Sequence, residues 1–437
     1  MTTLRLWRLL RRRSAGGSDP QCLPGILAVV AFAVATAISL VVLGGWNAFA
    51  MRAEGNEADL GFYVTLAATA SGLLLIPLAT LGGAAARLTV ARRDERLAAL
   101  RLAGATTRQV TGLTLLESAA QALSGGLAGV AGYFALIPIV QLVVFQQDPF
   151  AYGELVVPPW ILPAVVGAVV LIATGSAAMS LRKVAITPLG VAARVSPRGL
   201  HWTRIVPIAL AALAFSFVFR SPVAIGIAVL VAFVLAGLAA LNLVGPFVVW
   251  LIGRAWAARA RGAASLIAAR RLIDSPKSAW RSVGGVGLAT FIAGLCAALA
   301  MFTGTAEVDP QVRDMATGGF LTLAIAAIVA AVSTGVMQAG RIIDQRGEYR
   351  ALAMAGMETA VMNRARMREI EVPLVAAVGV ATLASGLFLV PALTTGVLTS
   401  IPVLVQFASS VLGATALVLL GAAAAGRVLR TVVGQAG

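Results

Sequence analysis

Ten apolar runs divide this chain: 23–50, 61–86, 113–145, 160–181, 205–219, 222–252, 283–302, 320–340, 372–393 and 402–425. About 20 apolar residues of helix cross the hydrocarbon core of a bilayer. Inside that core every backbone N–H and C=O must find its partner within the segment, which leaves the helix as the structure for runs of this kind. The runs therefore predict an all-α polytopic membrane protein. Only 12% of the residues are charged, against roughly 25% in soluble domains. The fifth run is short and the sixth long. The break at Phe219-Arg220-Ser221-Pro222 leaves a tilted hairpin open there. Without that hairpin the chain has eight spans and the same orientation.

The net charge of +16 rests on 32 Arg and two Lys, Lys183 and Lys277. Such a balance also suits a nucleic-acid binder, but here the cations sit in short segments beside apolar runs. This is the positive-inside pattern and requires no nucleic acid. With both termini in the cytoplasm, the inner segments hold 31 Arg and Lys and the outer ones three: Arg52, Arg220 and Arg313. Eight acidic residues lie outside: Glu54, Glu57, Asp59, Asp148, Glu154, Glu307, Asp309 and Asp314. A multi-pass membrane protein with both termini inside follows, and the Arg-for-Lys bias with many Ala, Val and Gly points to the plasma membrane of a high-GC bacterium.

One inner segment occurs twice. Placing Gly104 on Gly356, an offset of 252, also aligns Ala99 with Ala351, Leu100 with Leu352, Ala103 with Ala355, Thr107 with Thr359 and Glu117 with Glu369. Leu97 falls on Tyr349. In each copy two apolar residues three apart share a helix face, Leu97 with Leu100 and Tyr349 with Leu352. Gly104 and Gly356 suit the left-handed position that ends a helix. Thr106 and Gln109 have capping-box spacing, so a new helix starts there and enters the membrane. Val361 stands in place of the glutamine in the second copy. Each segment, 92–104 and 344–356, is expected to form a short cytoplasmic helix, a glycine stop and a turn into a span. Glu117 and Glu369 stand at the heads of those spans, where carboxylates beside a helix start are stabilised and where Arg108, Arg364, Arg366 and Arg368 supply nearby cations.

The N-terminal stretch MTTLRLWRLLRRR mixes Leu and Trp with Arg and suits an interfacial helix on anionic headgroups. The apolar run after it exceeds the 7–15 residues of a signal-peptide core; it is taken as a retained span, Asn47-Ala48-Phe49-Ala50 being a weak cleavage site. Residues 263–281 repeat the basic interfacial character before the seventh span, with Pro276 as the expected break. The organisation is thus an interfacial segment (1–22), a first four-span repeat (23–200), linking spans five and six (201–260) and a second repeat (261–437). Spans 1 and 7 both start inside, so the repeats are parallel.

Several chemistries are excluded. His201 is the only histidine and Cys22 and Cys296 the only cysteines, which rules out a His/Cys metal cluster and a Ser-His-Asp triad. No Walker A sequence occurs. No Asp, Glu, Lys or Arg lies deep in a span, which argues against ion-coupled transport. Gly125, Gly126, Gly129 and Gly132 in span three, and Gly284, Gly285 and Gly287 in span seven, are expected to let helices pack closely. Gln121, Gln141, Asn242 and Gln338 are polar but uncharged.

With DERLAALRLAGAT, then Glu117, then Gly125–Gly132, the chain resembles the FtsX-like permease family, the MacB-type membrane subunits of ABC transporters. The second copy, GEYRALAMAGME followed by Glu369, is similar, and AARRLIDSPKSAWRS resembles the family's entry segment. Two repeats in ten spans are similar to the BceB-like arm of the family. The resemblance implies a separate ABC ATPase homodimer, one permease per two ATPase subunits, docked on Asp94, Glu95, Leu97, Leu100, Arg101 and Gly104 and on Glu348, Tyr349, Leu352 and Gly356, with Glu117 and Glu369 in coupling or structural roles. It implies no catalytic residue, metal or cofactor in this chain, ATP and Mg belonging to the partner. The large outer domain of MacB, FtsX and BceB is missing: the corresponding loops here are about ten and about fifteen residues long, too short to fold alone. The cargo expected is therefore an amphipathic or lipid-like compound or peptide taken from the bilayer, with export or resistance as the outcome. The alternative is a non-transporting transmitter that couples ATPase cycling to a cell-wall hydrolase or a sensor kinase.

Overall fold

A computed structural model describes residues 23–54, 57–91, 106–186, 227–302, 310–388 and 401–426. Two Cα-contact units divide the chain, one comprising 1–143, 149–194 and 336–347, the other 144–148, 195–335 and 348–437.

The first unit is a four-helix ring. It holds α1 (Leu23–Ala53), α2 (Glu57–Ala91), α3 (Thr107–Val140), the single turn α4 (Tyr152–Leu155) and α5 (Ile161–Ile186); between α3 and α4 the chain also forms the short strands β1 (Val144–Phe145) and β2 (Asp148–Pro149), and 144–148 is grouped with the second unit. α1 packs on α2 and α3, and α5 closes the ring against the other faces of those two. The second unit holds α6 (Ile227–Ala258), α7 (Ala263–Asp274), α8 (Pro276–Phe302), most of α9 (Pro310–Asp344), α10 (Arg346–Met354), α11 (Thr359–Phe388) and α12 (Ile401–Ala424). α8 lies along α11, α12 joins both, and α6 and α7 cover them from one side. The pairing of α1 with α3 thus recurs as that of α8 with α11, the helices that the 252-residue offset makes equivalent.

Nine of these helices have 24 to 35 residues. At about 1.5 Å per residue the shortest spans more than a ~30 Å hydrocarbon core. Seven helices, α1, α3, α5, α6, α9, α11 and α12, are long and apolar enough to cross a membrane among the described residues; α8 carries the shorter apolar stretch Ser282–Gly294. This is a multi-pass all-α membrane protein. Of the ten runs, 205–219 lies outside the described residues. Several helices outlast their apolar runs, whereas α3 stops at Val140, short of position 145. α1 continues to Ala53, α9 begins at Pro310 inside the expected 303–319 loop, and α11 begins at Thr359, well before position 372. Hydropathy marks where lipid ends, whereas a helix ends where its backbone is capped or broken.

The glycine stripe of α3 is a packing face. A Cβ on Gly125 would sit 2.6 Å from Phe32 Cβ and 2.7 Å from the Val29 carbonyl oxygen, and one on Gly129 would sit 2.5 Å from the Ala33 oxygen and 2.6 Å from Thr36 Cβ. The backbones of α1 and α3 touch there, as small residues at helix interfaces permit. In the second unit Gly287 meets Ala377 of α11 at 3.3 Å, and Gly421 of α12 rests on the Ala331 carbonyl of α9. Trp280 fills the notch at Gly245 of α6 and donates its indole N–H to Asn242 Oδ1 at 3.2 Å.

The loop assigned to the outside in the first unit is short but built. Tyr133 donates its hydroxyl to the Leu155 carbonyl at 2.5 Å and accepts the Val157 N–H at 3.0 Å. Arg52 pairs with Glu154 at 2.9 Å, donates to the Pro149 carbonyl at 2.9 Å and stands 4.5 Å over the Phe150 ring. Phe150 meets Phe49 edge-on, and Phe49 stacks on Tyr63. Burial pushes the Glu154 carboxyl up, but hydrogen bonds from Arg52 and the Ala151 N–H outweigh it and hold the pKa below the usual value. A carboxylate whose folded pKa is lowered stabilises the fold above its unfolded pKa, and that contribution vanishes as the pH falls through the folded value. The thermal midpoint of the protein in detergent is therefore expected to drop more steeply below about pH 4.5 than that of Glu154→Gln. Parallel curves for the two would remove this account of the loop.

Candidate coupling site

The second inner segment forms as its residues demand. α10 ends in a complete Schellman motif: the Met357 N–H bonds to the Leu352 carbonyl at 2.9 Å and the Gly356 N–H to the Ala353 carbonyl at 3.0 Å. Gly356 has φ +84°, the left-handed conformation that the motif requires and that costs other L-residues roughly 1–2 kcal/mol. Gly356→Ala is thus expected to destabilise the end of α10 by about that amount and to speed hydrogen exchange at Met357; unchanged exchange would contradict it. In the first copy the described chain resumes at Thr106, whose hydroxyl accepts the Gln109 N–H while the Gln109 side chain takes the Thr106 N–H at 3.0 Å. That capping box begins α3 as its spacing indicated. Asp94, Glu95, Leu97, Leu100, Arg101 and Gly104 lie outside the described residues.

The expected docking residues of α10 separate into two groups. Glu348 is exposed, with Ala351, Met354, Ala355 and Gly356. Met354 is 79% exposed, a large apolar side chain at the tip. Tyr349 is buried at 4% exposure, and Leu352 is half-buried. The apolar stripe of α10 thus faces mostly inward.

Tyr349 meets a residue that sequence reasoning did not single out. Arg271, on the last turn of α7, reaches Glu369 at 3.5 Å and Glu348 at 3.9 Å, and its guanidinium also interacts with Tyr349. Burial pulls the Arg271 pKa down, and Tyr349 and Glu369 together reverse that and raise it. Glu369 is 9% exposed. Glu369 forms an ion pair with Arg271, and Arg366, three residues back on the same helix, also lies within electrostatic range of it. Arg366 turns to α12, donating to the Ala422 carbonyl and to Asn363 Oδ1, each at 3.0 Å. Arg368 donates to Ser265 of α7, and Arg364 is exposed. The cation that reaches Glu369 from α7 lies 98 positions away, a distance over which sequence proximity gives no signal. The usable signal was a carboxylate at the buried head of a span facing a basic helix that stops at Pro276. Glu117, on α3, is half-buried.

α7 itself ends at Asp274, and Pro276 opens α8 after a single intervening residue. Proline is tolerated in the first turn, where its missing N–H has no intrahelical acceptor. α7 and α8 are therefore joined with almost no slack.

The chain is thus a multi-pass helical membrane protein that carries a capped knob braced by a part-buried ion pair. Residues 83–189 match the family model described as FtsX-like permease C-terminal. The match runs from the end of α2 through the first inner segment and α3 to the end of α5. No curated protein and no solved structure matches the chain.

Proposed function

We propose that this chain is the membrane subunit of an ABC transporter of the FtsX/MacB type, driven by a separate ATPase homodimer docked on 92–104 and 344–356. The observation that carries the reading is a recurrence. The family match spans the first segment, and the second segment is a helix closed by a Schellman stop and leading straight into a span. A motor needs a firm, exposed projection attached to a membrane helix, and α10 with its exposed Met354 has that form. Tyr349 then acts from beneath, as a support, while Glu348, Met354 and Gly356 present the surface. Both termini are cytoplasmic in this reading, ATP and Mg belong to the partner, and one permease serves two ATPase subunits. With no large outer domain, the cargo is an amphipathic or lipid-like compound or peptide withdrawn from the bilayer and exported.

The test is purification of the tagged full-length chain from the membranes of its own host. An ABC ATPase is expected at two copies per permease, and Met354→Glu is expected to lower its recovery at least tenfold, because a buried apolar contact would become a desolvated charge. ATP hydrolysis by the chain alone, or outside labelling of a cysteine placed by Met354→Cys, would overturn the proposal.

A further inference from the structure

We infer that Arg271 is the joint through which movement of α10 reaches the membrane helices, a positioning residue that the docked partner never touches. The inference rests on the docking reading above. One guanidinium holds three elements together: its own α7, α10 through Glu348 and Tyr349, and α11 through Glu369. The contacts are unequal. Glu348 is 67% exposed and 3.9 Å away, a geometry in which an ion pair contributes little. Glu369 is buried and Tyr349 more so, and a buried carboxylate that loses its cation is strongly destabilised. Force on α10 therefore travels through Tyr349 and Arg271 to Glu369, and Glu348 remains available at the surface. From Arg271 it has two short routes. α7 continues into α8 across Ser275 and packs on α6, and Glu369 lies in α11. A planar fork with five donors can serve several acceptors at once, which a lysine ammonium on a flexible stem does less well.

The joint is tested on the full chain carrying Cys22→Ser and Cys296→Ser, with a spin label at Met354→Cys, in liposomes of phosphatidylethanolamine and phosphatidylglycerol. Arg271→Gln and Glu369→Gln are each expected to raise the mobile fraction of the label at least threefold, Glu348→Gln to leave it unchanged, and Arg271→Lys to fall between. The double variant Arg271→Gln/Glu369→Gln removes both charges of the pair together, and Arg366 keeps its bonds to the Ala422 carbonyl and Asn363, so it is expected to stay folded, as a monodisperse elution in detergent would show, while freeing α10. In the complex with the ABC ATPase that co-purifies with the chain, Arg271→Gln is expected to retain the ATPase in the wild-type ratio and to lose at least tenfold of the permease-stimulated ATP hydrolysis. A label equally immobile in the wild type and the double variant would overturn the joint. Undiminished stimulation in a complex that has formed would overturn transmission through it. Failure of the wild-type chain to capture any ABC ATPase would overturn the function proposed above and, with it, the transmission role, while the label would still decide whether Arg271 holds α10.

Discussion

Leucine at position 129 is expected to take the first unit apart. The glycine lies where α3 crosses α1, and even a methyl group there would stand 2.5 Å from the Ala33 carbonyl oxygen and 2.6 Å from Thr36 Cβ. The nearer obstacle is backbone, which cannot swing aside as a side-chain tip can. Relief requires the helices to separate, and separation also undoes the contact at Gly125, one turn away against Val29 and Phe32. Overpacking a tight site costs about 1–3 kcal/mol and occasionally more; with two helices displaced along a shared stripe, Gly129→Leu falls at the upper end or beyond it. The measurement is the fraction of monodisperse protein left after heating in detergent, with Gly132→Leu for comparison, since a Cβ at Gly132 would meet Ala37 Cβ at an ordinary 3.5 Å. If both variants survive equally, the stripe is not the contact described.

The second large effect belongs to Trp280. Its indole lies against Gly245, is 2% exposed and donates to Asn242. Trp280→Ala removes a ring that holds α8 to α6 and leaves Asn242 without that donor. Truncating a buried Trp or Phe costs about 3–5 kcal/mol. Trp280→Phe keeps most of the volume and loses only the N–H, so a smaller loss, of about 1 kcal/mol, is expected from it. The ordering wild type, Phe, Ala in thermal midpoint checks the argument, and an Ala variant as stable as the Phe variant would refute it.

What the residues disclosed in advance follows from the range over which each signal acts. Caps and stops are local. Thr106 with Gln109, Gly356 and Pro276 each announced a helix end from neighbours within a few positions, and each stands where it was expected. Apolar runs are nearly as local, and nine of the ten fall on long helices among the described residues. The partners of the charged and polar side chains were not legible. Arg271 lies 98 positions from Glu369, Arg52 lies 102 from Glu154, and Trp280 lies 38 from Asn242. Such pairs depend on which helix faces which, and periodicity does not carry that information. The loop around 149–157 was not legible for a related reason: Tyr133 and Arg52 hold it from 22 and 102 positions away.

One hydroxyl in that loop sets a practical limit. Because the Tyr133 phenol grips both Leu155 and Val157, the peptide between them has no spare length to donate. An epitope or protease site inserted beside Val156 would cut the tether at both ends, whereas a foreign sequence spliced in elsewhere would leave it alone. Anyone wishing to tag the molecule on this loop should look for another place to do so.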